Sequence, residues 1–280
     1  MKGVLLFGTM GDTGRTALGN LLSHGIEAQL VDFPQNVFRD EFGYCRLLEK
    51  SILALNPSAV IPIGCPIALA RAKDGLEKRF PGLDVIVETE EKLSLLDSKV
   101  RFYEYASSLG IRQPERLEED YHVREGETVV FKRDVSFGGH GVHLVTSDKA
   151  VRNLSDHQRK GEPFLLERYI EGGVNRSVDA LRLRDGRTLT SAYRSTGTIG
   201  KNGPSTERVA EAAPLPEAAA VRILESLDYH GICGFDFIEA PDSTVYLLEA
   251  NPRFTGGLST QIAAGFELPW MLCREYSKKD

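Results

Sequence analysis

Cysteine is scarce and scattered in this sequence. Cys45, Cys65, Cys233 and Cys273 stand far apart, with no C-x-x-C and no histidines at zinc spacing. That excludes a disulfide-stapled scaffold and a zinc finger, and reads as reduced, buried, inert thiols in a cytoplasmic protein. Blocks of like charge are missing too. A formal net charge of −6, with no Lys/Arg run interleaved with aromatics, argues against nucleic acid as a partner. No apolar run is long enough to span a bilayer, and "MKGVLLFG" passes into glycine-rich turn sequence without a small-residue cleavage site. Neither a membrane partner nor an export signal is expected. Repeats and low-complexity tracts are absent. What is present is an ordinary globular composition, 41% hydrophobic over 280 residues, enough for two or three subdomains with their own cores.

The first part alternates strand and helix patterns. "GVLLFG", "AQLVDF", "SAVIPIG" and "DVIVET" read as strands; "TGRTALGNLLSHG", "CRLLEKSILALN" and "PIALARAKDGLEKRF" carry helical spacing. A parallel sheet flanked by helices is the economical interpretation. After about Glu90 the rhythm changes. Helical "EEKLSLLDSKVRFYEYASSLG" leads into strands "TVVFKR", "VHLVTS", "PFLLERYI" and "NRSVDALRLRDGRTLTSAYRS", an α+β, largely antiparallel arrangement. "STGTIGKNGPSTE" reads as a surface loop, and the helix "PLPEAAAVRILESLDYHG" precedes a last strand pair, "ICGFDFIEA" and "VYLLEA".

The turn residues "PDST" make that pair an antiparallel hairpin. Pairing Ala240 with Val245 sets Glu249 opposite Asp236, turns Phe235 and Phe237 to the other face, and puts Asn251 beside Glu249. Opposed carboxylates repel unless one is protonated or a cation lies between them, and Mg²⁺ suits two carboxylates and an amide. A solvated surface hairpin is the competing reading; Arg253, Gly256 and Gly257 following at once favour a site.

"VVFKRDVSFGGHGVHLV" places Lys132 on a strand before a loop with Gly138, Gly139 and Gly141. Glycines let amides turn toward an anion and a lysine supplies charge, whereas a plain glycine hairpin is the alternative. The loop lacks the G-K-[S/T] ending of a Walker A motif, and His140 and His143 lack acidic or cysteine neighbours for a metal. "GTMGDTGR" follows a strand and opens a helix, with Asp32 ending the next strand. Its G-x-x-G-x-x-G spacing departs from the dinucleotide fingerprint, so a tight βα turn is preferred to an NAD(P)-dependent oxidoreductase.

In this order, "DSKVRFYEYASSLGI", "VVFKRDVSFGGHGVHLV", "PFLLERYIEGGVNRSVDA", "GFDFIEA" and "YLLEANPRFTGG" closely resemble the ATP-grasp superfamily, in particular its biotin carboxylase and carbamoyl-phosphate synthase branch. The resemblance covers roughly Asp97 to Gly265. It implies a Rossmann-like parallel-sheet domain over residues 1–96 and an ATP-grasp domain over 97–280, with an antiparallel-sheet lid over about 113–168. It implies ATP and Mg²⁺ as cofactors, with Lys99 and Lys132 on the nucleotide phosphates and Ser136 to Gly141 as the lid loop. Glu167 matches the adenine and ribose hinge, where Arg168, Tyr169 and Ile170 present backbone to the base. Asp236, Glu249 and Asn251 match the magnesium ligands, and Arg253 the clamp on a reacting acyl phosphate. The implied activity is a cytoplasmic carboxylate ligase joining small carboxylate and amine substrates through an acyl phosphate. A non-catalytic ATP-binding protein on the same fold is the alternative, and a homodimer is compatible with the branch. Two departures stand out: Asn175 where many members carry glutamate, and few residues after the last motif. Arg194 is a candidate second anion contact.

Overall fold

Each pattern folds as its period demands. Short apolar runs form β1 (Val4–Gly8), β2 (Ala28–Asp32), β3 (Ala59–Pro62) and a two-residue β4 (Asp84–Val85). The stretches between them form α1 (Gly11–Ser23), α2 (Glu41–Leu55) and α3 (Pro66–Arg79). The computed structural model describes residues 3–8, 11–33, 41–118, 120–136, 141–156, 162–198 and 205–277. The first four strands make a parallel sheet in the order β2-β1-β3-β4, as expected of a βα repeat. Because successive strand residues face opposite ways, Leu5, Phe7 and Val60 pack under Tyr44, Leu48, Ile52 and Leu69, while Val4, Leu6 and Ile61 meet Ala17 and Leu21 of α1. Gly8 is required by close approach: a side-chain carbon there would lie 2.8 Å from the backbone of Ile63.

Next come α4 (Glu90–Asp97), α5 (Lys99–Ser108), β5 (Arg116–Leu117), β6 (Val129–Arg133), β7 (Val142–Val145), α6 (Asp148–Asp156) and β8 (Phe164–Arg168). Their strands form an antiparallel sheet in the order β5-β8-β6-β7, which buries Val129, Phe131 and Leu166 with Val151 of α6. A second antiparallel sheet, β11-β10-β9-β12-β13, uses β9 (Val174–Arg182), β10 (Thr188–Thr198), β11 (Ser205–Ala210), β12 (Gly231–Glu239) and β13 (Val245–Asn251). Around it lie α7 (Pro214–Ser226), α8 (Leu258–Ala263) and α9 (Leu268–Ser277). One face of this sheet, with Val178, Ala180, Phe235, Phe237 and Leu247, packs on Phe102 of α5 and Ile223 and Leu224 of α7. The other face divides in two. Its Leu181 and Ile232 end joins Val4, Leu6, Leu258, Leu268 and Leu272 in a shared core, and the rest is polar.

The structure departs from the sequence reading at several points. The helical stretch after Glu90 breaks at Ser98, whose hydroxyl accepts from Arg101 N at 3.2 Å and caps α5. The helix before the last hairpin stops at Ser226, five residues short of Gly231. Residues 205–207, read as part of a loop, belong to β11, which pairs with β10 from Tyr193 to Thr198. All four cysteines are free, Cys233 and Cys273 buried and the other two half-buried. Among the described residues no helix is long and apolar enough to cross a membrane.

Candidate functional site

The polar face of the five-stranded sheet begins at the last hairpin. At the turn the strands pair Glu239 with Val245, one residue away from the expected Ala240–Val245 register. In a regular hairpin that pairing would set Glu249 opposite Phe235, on the core face. A bulge at Leu248 absorbs the difference, so that Phe237 pairs with Leu247 but Asp236 pairs with Glu249. The two carboxylates therefore oppose each other as expected, through a bulge and not through the assumed turn register. Lys132 Nζ reaches the carbonyl of the bulged Leu248, at 3.5 Å.

Asn251 lies on the same face, and its Nδ2 donates to Asp236 Oδ2 at 3.0 Å. Ser177, opposite Asp236 on β9, donates from Oγ to Asp236 Oδ1 at 2.6 Å. Arg253 Nη2 donates to Asn251 Oδ1 at 3.0 Å, which joins the clamp candidate to the other three. Burial raises the Asp236 carboxyl above its ordinary range, and the facing Glu249 adds to the effect. Burial pushes Glu249 the same way, but the ammonium groups of Lys99 and Lys132 outweigh it and hold Glu249 low. Among the described residues no basic group lies within ion-pair distance of Asp236, and no three His, Cys, Asp or Glu side chains converge to make a full metal cage. Two carboxylates and one amide form a partial set of hard oxygen donors. Such a set fits Mg²⁺, which keeps waters and phosphate oxygens in its shell.

Both lysines are buried beside this trio. Lys99, 6% exposed, bonds Glu249 Oε2 at 3.1 Å and the carbonyl of Ser136 at 3.1 Å. It opens α5, the wrong end of a helix for a cation, and Asp134 compensates: its Oδ1 accepts from Ser98 Oγ and Val100 N, each at 2.8 Å. Lys132 pairs with Glu167 Oε2 at 2.5 Å, a diagonal contact between β6 and β8. Glu167 thus spends its carboxylate on the lysine. Arg168 is engaged elsewhere, with Glu115 at 2.9 Å and Glu127 at 2.5 Å and its guanidinium over the Tyr121 ring. Tyr169 and Ile170 follow, half-buried. Of the lid candidates, Ser136 and Gly141 are in contact range, since a side chain on Gly141 would collide with the Ser136 hydroxyl. Gly138 and Gly139, with His140, lie outside the described residues.

Arg194 is not on this face. It alternates with Tyr193, pairs with Arg176 across β9, and donates from Nε to Glu211 at 2.9 Å, so it is a partner of that glutamate and not an anion contact at the site. Asn175 stands exposed on β9 opposite Ile238. Three groups escaped the sequence reading. Asp179, 1% exposed, accepts from Thr255 Oγ1 at 2.9 and 3.0 Å, and Tyr193 is buried against both. Asp179 and Tyr193 sit in ordinary strand patterns, and only an isolated aspartate in "RSVDAL" marked the spot.

A family model described as an ATP-grasp domain matches residues 96–257. The carbamoyl phosphate synthase large chain, C-terminal section, of Methanopyrus kandleri is 27% identical over 191 residues, 61% of this chain and 35% of that protein. The chain therefore spans about a third of that relative's length. The biotin carboxylase of Campylobacter jejuni superposes with a TM-score of 0.78 at 13% identity, over 100% of this chain and 71% of the other. The biotin carboxylase domain of Hydrogenobacter thermophilus 2-oxoglutarate carboxylase, a dimer complexed with MgADP, ADP and bicarbonate, superposes with a TM-score of 0.76 at 16% identity, over 99% of this chain and 70% of that one. At these identities the structural likeness establishes a common fold.

Proposed function

The chain belongs to the ATP-grasp family, and from that premise we propose that it is an ATP-dependent carboxylate ligase that forms a carbon–nitrogen bond. The observation that carries this reading is the Asp236–Glu249 pair, opposed across a bulged hairpin with Asn251, Arg253 and two buried lysines around it. Asp236, Glu249 and Asn251 would hold magnesium, which when bound neutralises phosphate charge. Lys99 and Lys132, held by Glu249 and Glu167, would receive the nucleotide's phosphates. Arg253, with its planar fork fixed by Asn251 and the Phe254 carbonyl, would hold the oxygens of the transferred group. A carboxylate oxygen of the substrate attacks the γ-phosphorus and the bond to the bridging oxygen breaks, releasing ADP and an acyl phosphate. An amine then attacks the acyl carbon, phosphate leaves, and the nitrogen loses a proton. Such a transfer needs positioning and charge more than a protein nucleophile. The MgADP held by the Hydrogenobacter domain supports the nucleotide assignment.

The test is calorimetric titration of ATP with and without magnesium. Wild-type protein should bind saturably only with magnesium, and Glu249→Gln should lose about tenfold or more in affinity. Magnesium-independent binding in both proteins would overturn the metal assignment.

A further inference from the structure

The polar face of the five-stranded sheet is laid out in rows that run across the strands. One row starts at the opposed carboxylates and reads Glu249, Asp236, Ser177, Tyr193, one residue from each of β13, β12, β9 and β10. The next row reads Asn251, Gly234, Asp179, Ser191 on the same four strands. Each member stands two residues from its counterpart along the strand, so both rows look to the same side. The first row bonds in sequence: Ser177 Oγ donates to Asp236 Oδ1 at 2.6 Å, and the Tyr193 hydroxyl bonds Ser177.

The segment that leaves β13 lies on the second row. Thr255 sits over Gly234, where a side chain would strike its methyl group, and donates to Asp179 Oδ1 at 2.9 Å. Its oxygen also accepts from Gly257 N at 3.2 Å. Gly257 lies against the Tyr193 ring, which occupies the room that a side chain there would need. Tyr193 is 4% exposed, and its hydroxyl bonds Thr255 as well as Ser177. Ser177 and Thr255 each give their own proton to a carboxylate, so the Tyr193 hydroxyl is the donor shared between their oxygens. It therefore touches both the row of candidate metal carboxylates and the segment that carries Arg253.

Arg253 is held from within its own segment, by Asn251 Oδ1, by the Phe254 carbonyl, and through its backbone N to the Asn251 carbonyl at 2.7 Å. Those bonds shape the segment, and Thr255, two residues on, ties it to the sheet. We propose that Tyr193 is a positioning residue: its hydroxyl, bonded to Ser177 on the strand and Thr255 on the segment, sets Arg253 in register with Asp236, so that clamp and metal carboxylates address one phosphoryl group. The proposal rests on the ligase reading, in which Arg253 holds the oxygens being transferred. Phenylalanine would serve a purely space-filling role, since the ring packs on Gly257 with or without its oxygen. A buried hydroxyl costs free energy unless it is bonded, and here both bonds go to parts of the site.

Tyr193→Phe keeps the ring and removes the oxygen. Hydrogen exchange of the ligand-free full chain, followed by nuclear magnetic resonance, should show the Gly257 amide exchanging about tenfold faster in this variant, with the amides of the β6–β8 pair unchanged. Calorimetry then reads the site with ATP and with ADP, each in the presence of magnesium. Because the clamp meets only the γ-phosphate, Tyr193→Phe should lose about tenfold in Mg·ATP affinity and stay within about twofold for Mg·ADP. Arg253→Lys should show the same split, and the double variant should lose no more than Arg253→Lys alone, as a residue that acts through another requires. Thr255→Val cuts the same bond from its other end and should repeat the split. Unchanged Gly257 exchange, equal losses for the two nucleotides, or additive losses in the double variant would overturn the proposal. A wild type that binds neither nucleotide, with Gly257 exchange accelerated in Tyr193→Phe as expected, would instead remove the ligase reading and leave the tie between Tyr193 and Thr255 standing.

Discussion

Asp179 is where a single buried side chain sets a pH dependence. Burial pushes its carboxyl up to about 7, and Asp236 adds to that, while the Thr255 hydroxyl works against it. The unfolded chain releases this proton near an ordinary carboxyl's pKa, so between about pH 4 and 7 the native state binds more protons than the unfolded one. Stability from this group is therefore complete below about pH 4 and lost as pH rises to about 7. Asp179→Asn keeps an acceptor for Thr255 and has no charge to bury. Chemical denaturation across pH should show it gaining on wild type as pH rises, by on the order of 2–4 kcal/mol at pH 8, with no gain at pH 4. An unchanged pH slope would mean that another group supplies it. The sequence exposed Asp236, Glu249, Asn251 and Arg253 because polar residues interrupted an apolar strand at fixed steps. It hid Thr255, whose importance comes from what its loop lies over, and loop paths leave no periodicity.

Elements were legible where periodicity was strong, and their joints were not. The parallel strands, the glycine-turned β9–β10 hairpin and the last strand pair follow from apolar spacing and turn residues alone. The bulge at Leu248 does not: nothing in "VYLLEAN" distinguishes a slipped strand from a regular one, and the site's side chains face correctly only because of it. The split between α4 and α5 has a signal in hindsight, serine before a charged first turn, but its partner Asp134 lies beyond β5 and β6 in the chain. That contact carries an element-scale prediction. Asp134→Ala removes the acceptor of Ser98 Oγ and Val100 N and the negative charge that offsets Lys99 at a positive helix end. It should lower stability by about 1–2 kcal/mol and weaken Mg·ATP binding as Lys99 shifts. Asp134→Asn, which retains an acceptor, should restore most of the stability. Thermal unfolding and calorimetry read the two effects, and an Ala variant as stable as wild type would show that α5 starts without this cap.

At the scale of the whole molecule, the last helices return to the first sheet. Asn20 of α1, 5% exposed, donates to Glu267 Oε1 at 3.2 Å and accepts from Trp270 N at 3.1 Å. His24 bonds the same carboxylate at 2.9 Å and stacks on Trp270, ring centres 4.5 Å apart. Around these contacts Val4, Leu6, Leu21, Leu181, Ile232, Leu268 and Leu272 share one core, so each of the two sheets buries part of one face in common with the other. The βα repeat announced the first unit, but no local pattern announces a partner that arrives more than 240 residues later. Because removing one partner leaves buried polar groups unsatisfied, Asn20→Ala should destabilise the protein by about 1–3 kcal/mol. The shared core further requires that both units melt together: calorimetry of wild type and Asn20→Ala should each show one transition, the variant's at lower temperature. A variant that split into two transitions would show the seam to be held by this polar bridge, and the common core to be too weak to couple the units.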